Sequence, residues 1–273
     1  MRHDTISVTI LTSKKIRNFV EAQFAEIRRS HPLWQHLPSQ WPSRDSVSAI
    51  VERSSGHFIY ASTVIRFIQS PRHRPDDRLQ VILGLKQPYK QGRPYAALDL
   101  LYTLIFGEIQ DPSQLEMIQR VLGIIYLRNQ NVGLFIRSQT STTDGYIEQL
   151  LELRPGDLIL LFDPLRSLLN FDNGYIRIFH KSLFDYLLDT SRSGDFQLDL
   201  GLAHESIANY ILRWRKILDR LGDSSLTDAS SLASSLGNDF RVLAYHCQFA
   251  RLNESITFSG AQSRSYISQR MVA

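Results

Sequence analysis

Asp172-Asn173-Gly174 parts two β-leaning runs, Ser167–Phe171 and Tyr175–Phe179, in a chain whose apolar residues otherwise recur at helical spacing. A type I′ turn needs positive φ at both central residues, and Asn-Gly meets that need at low steric cost, so the segment predicts a β-hairpin. Beyond it, Tyr175-Ile-Arg-Ile-Phe179 alternates towards His180, and a short amphipathic helix, Lys181–Asp189, is expected to begin there. His180 therefore falls at a strand-to-helix junction, where a side chain can be held rigidly and aimed. It is the foremost candidate functional residue.

The remainder of the chain reads as helices. Ile16, Phe19, Val20, Phe24 and Ile27 share one helical face, with Ser13 as its expected N-cap. The run Ile6–Thr12 before them is β-leaning and is expected as a strand end or an irregular start. His31–Pro42 is a proline-broken connector with two tryptophans. Ser43 caps a helix over Arg44–Ser54, stopped by Gly56. Helices are also predicted over His57–Ile68, Arg78–Leu85 (opened by Asp76-Asp77), Tyr95–Ile109, Ser113–Leu127 and Tyr146–Leu153. Lys86–Gly92 reads as a linker, and Asn129–Asp144 as a loop with one short strand at Val132–Arg137. Ala203, Ile207, Tyr210, Ile211, Trp214, Ile217, Leu218 and Leu221 mark a long amphipathic helix. A Ser-rich loop, Gly222–Gly237, a helix over Asp239–Leu252 and a fraying tail complete the chain. The expected fold is mainly α, and helices, then a hairpin, then a helix is the order of a winged helix.

A chain of 273 residues with 43% hydrophobic and 21% charged content can bury a sizeable core in two or three units. One cysteine, Cys247, excludes an intramolecular disulfide and is read as a small buried hydrophobe. With no secretory signal in Met1–Thr12 and no run near the roughly 20 apolar residues of a membrane span, the expected setting is cytoplasmic. A net charge of +4 and a pI near 9.2 make nucleic acid worth testing.

Several motifs together resemble one family. Trp41-Pro42, Ala49-Ile-Val51, Ser55-Gly56-His57-Phe58-Ile-Tyr60-Ala-Ser62 and Arg66-Phe-Ile68 are similar to the helical lid of fungal NACHT-domain proteins. Tyr95-Ala-Ala-Leu98-Asp-Leu-Leu-Tyr102, Leu122-Gly-Ile-Ile125, Ile147-Glu-Gln-Leu-Leu151 and Phe179-His180-Lys-Ser-Leu-Phe-Asp-Tyr-Leu187 look like their winged helix. Ala203-His-Glu205 and Leu243–Cys247 are similar to the helical region that follows. The resemblance implies a lid over 1–92, a winged helix over 93–190, a helical extension over 191–252 and a tail over 253–273. It also implies membership of the STAND class of P-loop NTPases, switches that hold ADP when off and oligomerise when on. His180 matches the histidine that reaches the ADP β-phosphate in that class. Gly56-His57-Phe58 matches its adenine-contacting Gly-x-Pro, with Phe58 in place of proline.

The motifs of chemistry are absent. No Gly-x-x-x-x-Gly-Lys-Ser/Thr occurs, so no phosphate cradle and no Mg²⁺-binding hydroxyl are expected from this sequence. Leu158-Ile-Leu-Leu-Phe-Asp163 imitates a Walker B strand but is read as core packing. Ile10–Lys14 faintly resembles a sensor motif that lacks its arginine. His204-Glu205 opens a zincin-like pattern that Ala208 breaks, and no metal site is expected. Lys181 reads as a solvated charge, Ser182 as an N-cap, and Asp185 and Tyr186 as surface and interface. Arg72-His-Arg74 and Arg213–Lys216 read as solvated faces.

The sequence thus leads to a regulatory and interaction module of a STAND-type nucleotide-dependent switch, in signal transduction of the self/non-self or innate-immunity kind. It is not expected to be an enzyme. It carries no cofactor alone; ADP or ATP with Mg²⁺ would belong to a complete homologue, and ADP binding by this chain alone is expected to be weak or absent. Its partners would be a P-loop core, in cis or in trans, or a second copy through an exposed apolar face around Phe58, Tyr60 and Leu158–Leu161. No membrane partner is expected.

The alternative is a winged-helix nucleic-acid-binding protein. Duplex DNA presents about one negative charge per 1.7 Å, which a recognition helix must meet with basic and polar groups. The segment Gly156–Leu169 offers Arg166 against Asp157 and Asp163, and the wing tip carries Asp172. A gel shift with random duplex at low salt is therefore expected to show no retarded band; salt-sensitive submicromolar binding would reverse this conclusion.

Overall fold

The computed structural model describes the backbone of residues 2–85, 95–130 and 143–221, with Tyr245, His246 and Phe249. Side chains are described for 11–85, 95–130, 144–213 and those three residues. The linker 86–92, the expected strand at 132–137, the Ser-rich loop, Cys247 and the tail lie outside the described residues. In chain order the elements are α1 (Arg2–Ser30), α2 (Arg44–Ser54), α3 (Phe58–Ile68), α4 (Pro75–Gly84), α5 (Ala96–Phe106), α6 (Pro112–Asn129), α7 (Thr143–Leu150) and α8 (Asp157–Leu161). They continue with β1 (Leu169–Asp172), β2 (Tyr175–Ile178), α9 (Ser182–Leu187), α10 (Thr190–Ser193) and α11 (Leu200–Leu221). The described chain is mainly helical with one two-stranded antiparallel sheet. No helix among the described residues is long and apolar enough to cross a membrane.

The described residues divide into two compact units. One draws on Met1–Glu116, Thr142–Asp144 and Gly156–Gln197, the other on Met117–Ser141, Gly145–Pro155 and Leu198–Ala273.

In the first unit α3 is the central helix. Tyr60, Ala61, Thr63, Val64, Ile65, Phe67 and Ile68 are all buried, more than one helical stripe can account for. An apolar helix of that kind must be enclosed, since each large side chain gains about 1.5–3 kcal/mol on leaving water. α1, α2, α4 and α5 all pack against α3 or against one another around it. α1 contributes the expected stripe of Ile16, Val20, Phe24 and Ile27. It begins at Arg2, however, so Ile6–Thr12 is helical and Ser13 lies inside the helix instead of capping it. β-branched residues cost a helix at most about 0.7 kcal/mol each, and neither Gly nor Pro interrupts the chain before Pro32.

Several polar groups close helix ends. The Ser43 hydroxyl accepts the Ser46 N–H at 3.1 Å, as an N-cap should. Arg53 donates to the carbonyls of Ile82 and Leu83 at 2.5 and 2.8 Å, placing a cation at the C-terminus of α4. α4 itself starts at Pro75, earlier than Arg78, because proline's fixed φ suits the first helical position. His31 is a satisfied buried histidine: Nδ1 accepts the Leu33 N–H and Nε2 donates to the Ser70 carbonyl.

The hairpin forms as its turn chemistry requires. Asn173 and Gly174 have φ of 50° and 77°, and Asp172 pairs with Tyr175 in antiparallel register. Leu158–Phe162, read as core packing, is core only in part. Leu158 and Phe162 are buried, Ile159 and Leu160 are exposed, and the run forms α8. A short apolar run is ambiguous between strand and helix, and here helical geometry puts only every fourth residue inward. Downstream, Arg192 makes a two-pronged contact with Asp99 at 2.6 and 3.1 Å and donates to the Asp185 carbonyl, tying α10 to α5 and α9.

The second unit packs α6, from Met117 onward, with α7 and α11. Ile118, Val121, Leu122 and Ile125 bury one face, and Ala203, Ile207 and Ile211 supply another. Arg213 donates to the Leu150 carbonyl at 2.7 Å and pairs with Glu152, so this member of the basic cluster is a helix-end clamp. The helices touch most closely at Gly123, where an added Cβ would stand 2.7 Å from Ala203 Cβ. Gly123→Val is therefore expected to destabilise the protein by about 1–3 kcal/mol through overpacking. A denaturant melt checks this; an unchanged midpoint would show that α6 and α11 do not meet at that glycine.

Candidate functional site

Gly56, Phe58 and His180 border one cleft of about 400 Å³, built entirely within the first unit. Two features deliver the first pair. α2 ends with Ser55 and Gly56 at φ 46° and 81°, a reversal that leads directly into α3. An added Cβ at Gly56 would meet only Thr12 Cγ2, at 4.0 Å, so backbone conformation, not crowding, calls for glycine there. Phe58 opens α3, remains 42% exposed, and makes an edge contact with Phe19 at 5.7 Å. His57 lies against Tyr95 with ring centroids 5.4 Å apart.

His180 arrives from the other side, after β2. Its Nδ1 accepts the Ser182 N–H at 3.1 Å and lies 2.8 Å from the Ser182 hydroxyl. A ring nitrogen facing a backbone N–H must be an acceptor, so the neutral imidazole carries its proton on Nε2. The Ser182 hydroxyl then donates to Nδ1 and accepts from the Tyr102 hydroxyl at 2.9 Å. Tyr102 is buried, and burial pushes its phenol up to about 12, which leaves it a committed donor at neutral pH. The Ser182 N–H thus sets which ring nitrogen is the donor, and the Ser182 and Tyr102 hydroxyls continue that contact into the core. Ser182 was expected as an N-cap. It is instead the first residue of α9, with Lys181 at the cap position, and it links His180 to the core. Tyr186, expected at an interface, is fully buried against Tyr102 and bonded to Thr103.

Arg66 also lines the cleft and was missed as a functional candidate. It is the one charged residue in α3, a signal present in the sequence but easily read as the solvated side of a helix. Its guanidinium lies 3.9 Å from the centroid of Phe179, the residue before His180. Burial pushes its pKa down. No carboxylate lines the cleft among the described residues, so nothing described there would hold Mg²⁺, whereas the His180 Nε2–H suits a phosphate oxygen.

A second, larger recess of about 1120 Å³ lies on the other side of Arg66. It is an ion-pair network. Asp163 accepts from Arg166 Nε at 2.9 Å and from Arg72, and Glu108 meets Arg78 at 2.9 Å. Arg72 and Arg74 are exposed, as expected of a solvated face, and from there pair with Asp163 and Asp76. Tyr60 does not join an exposed apolar face; it is 2% exposed, Leu158 is buried, and of the residues expected there Phe58, Ile159 and Leu160 are exposed. In the second unit His204 is buried with its Nδ1 2.7 Å from that of His246, a paired core histidine.

The chain matches no protein-family profile, no curated protein and no solved structure.

The geometry of His180 is directly measurable. Its ¹⁵N spectrum is expected to show the Nε2–H tautomer in the wild type and again in Ser182→Ala, which keeps the backbone N–H facing Nδ1, with a stability loss of about 1 kcal/mol from the lost hydroxyl. A wild-type spectrum of the Nδ1–H tautomer would refute the bonding described.

Proposed function

We propose that this chain is a regulatory and interaction module of a STAND-type nucleotide-dependent switch, comprising a helical lid, a winged helix and a helical extension. The observation that carries this reading is the convergence of Gly56, Phe58 and His180 on one cleft, from segments far apart in sequence. In this reading His180 reports the terminal phosphate of a bound nucleotide through Nε2–H, and the Gly56–Phe58 turn borders the base. A P-loop core, in cis or in trans, supplies the phosphate cradle and Mg²⁺ that this sequence lacks.

The segment from α5 to α9 serves as the winged helix, with the Asn173-Gly174 hairpin as its wing. Its work is positional. In this reading His180 acts as a directional hydrogen-bond donor, so the module senses and does not turn over. The exposed Phe58, Ile159 and Leu160 provide an apolar surface for the partner core.

The purified chain is accordingly expected to release no phosphate from Mg-ATP above the buffer rate. Turnover abolished by EDTA and retained through extensive repurification would overturn the assignment.

A further inference from the structure

The guanidinium groups of the first unit are anchored in a consistent way. Arg28 donates to the carbonyls of Pro38 and Trp41, Arg53 to those of Ile82 and Leu83, and Arg192 grips Asp99. Arg78 gives the closest comparison with Arg66. Its guanidinium lies 3.8 Å from the Phe67 centroid, as that of Arg66 lies 3.9 Å from Phe179. Both are partly desolvated. Arg78, however, also meets Glu108 at 2.9 Å, while among the described residues Arg66 has no carboxylate in ion-pair range and only the Ser62 hydroxyl at 3.4 Å. Arg66 is thus a cation moved out of water without a counter-charge, and burial without a partner is costly for a charge.

Its position explains what would complete it. A guanidinium held over a ring spends its face on that ring and leaves its in-plane N–H groups, a fork that matches oxyanions. Arg66 borders the cleft, where the ionisable side chains of the described lining are Arg66, His57, His180 and Tyr95, with no acid among them. His180 adds a second donor whose direction the Ser182 and Tyr102 hydroxyls maintain. In the neighbouring recess, which Arg66 and Phe179 also border, Arg72, Arg78 and Arg166 each meet Glu108 or Asp163, and Arg66 does not.

We propose that the cleft is a two-point oxyanion site in which Arg66 supplies the charge and His180 the directional donor, and that it takes the diphosphate end of a nucleotide. The oxyanion site follows from the charges and hydrogen bonds. The nucleotide as its source rests on the function proposed above. Arg66 is then a binding residue that turns a single imidazole contact into a clamp, and affinity for the isolated chain falls in the millimolar range because only two side chains hold the ligand.

The test is a titration of the full chain at constant ionic strength with inorganic pyrophosphate, ADP and adenosine, followed by the melting temperature and by the ¹⁵N shifts of His180. Pyrophosphate is expected to raise the melting temperature and move the Nε2 resonance. Arg66→Gln is expected to weaken this by about tenfold or more, and Arg66→Lys to retain part of it, because lysine keeps the charge but not the fork. Arg66→Gln binding pyrophosphate as the wild type does, or a wild type that ignores millimolar pyrophosphate, would overturn the site. Should Arg66→Gln fail to fold, the wild-type titration and Arg66→Lys still decide the matter, since a lysine variant with unchanged affinity also counts against the fork. If pyrophosphate binds through Arg66 and ADP binds no more tightly, the oxyanion site stands and the nucleotide reading falls.

Discussion

The enclosure of α3 is the constraint on which the first unit rests. Seven of its residues are buried, leaving no polar face broad enough to meet water, so helices must surround it. The position of the cleft follows. The N-terminal end of α3 is fixed by the reversal at Ser55 and Gly56, and Arg66 emerges two turns later where the helix meets Phe179. A cation on such a helix has few directions in which to go. Its placement at the cleft is a by-product of burying its neighbours.

Polar groups then complete what apolar burial leaves open. Arg28, Arg53 and Arg213 take carbonyls at the ends of segments, and Arg192 bridges three elements through one carboxylate and one carbonyl. Each of these contacts satisfies a backbone or charged group that would otherwise be stranded. The Tyr102–Ser182–His180 chain belongs to the same class but has a different end point. It starts in the core and finishes at an exposed ring.

Local chemistry was legible in the sequence where one or two residues decide the conformation. Asn173-Gly174 makes the turn its φ requirements imply, Ser43 caps α2, and the Ile16–Ile27 stripe is buried. What could not be read depends on distant partners. The helix over Ile6–Thr12 overrides a modest β preference, and the uniformly apolar Leu158–Phe162, read as core, carries no polar position to show that Ile159 and Leu160 face outward. Tyr60 looks amphipathic by composition but is enclosed by packing. That Gly56, Phe58 and His180 share a cleft has no signature in their spacing; a family resemblance alone suggested it. Arg66 was passed over because the absence of an acid beside a basic residue is a property of three dimensions.

The bond between Tyr102 and Ser182 joins two demands that most proteins keep apart. Core residues are ordinarily free to drift among apolar alternatives of similar volume, and phenylalanine at a buried tyrosine is among the mildest of such exchanges. Here the hydroxyl is the far end of a lever whose near end is the imidazole in the cleft. A lineage selected only for a robust core could shed that oxygen with little harm to folding, and the Ser182 hydroxyl beside His180 would then lose its tie to the core.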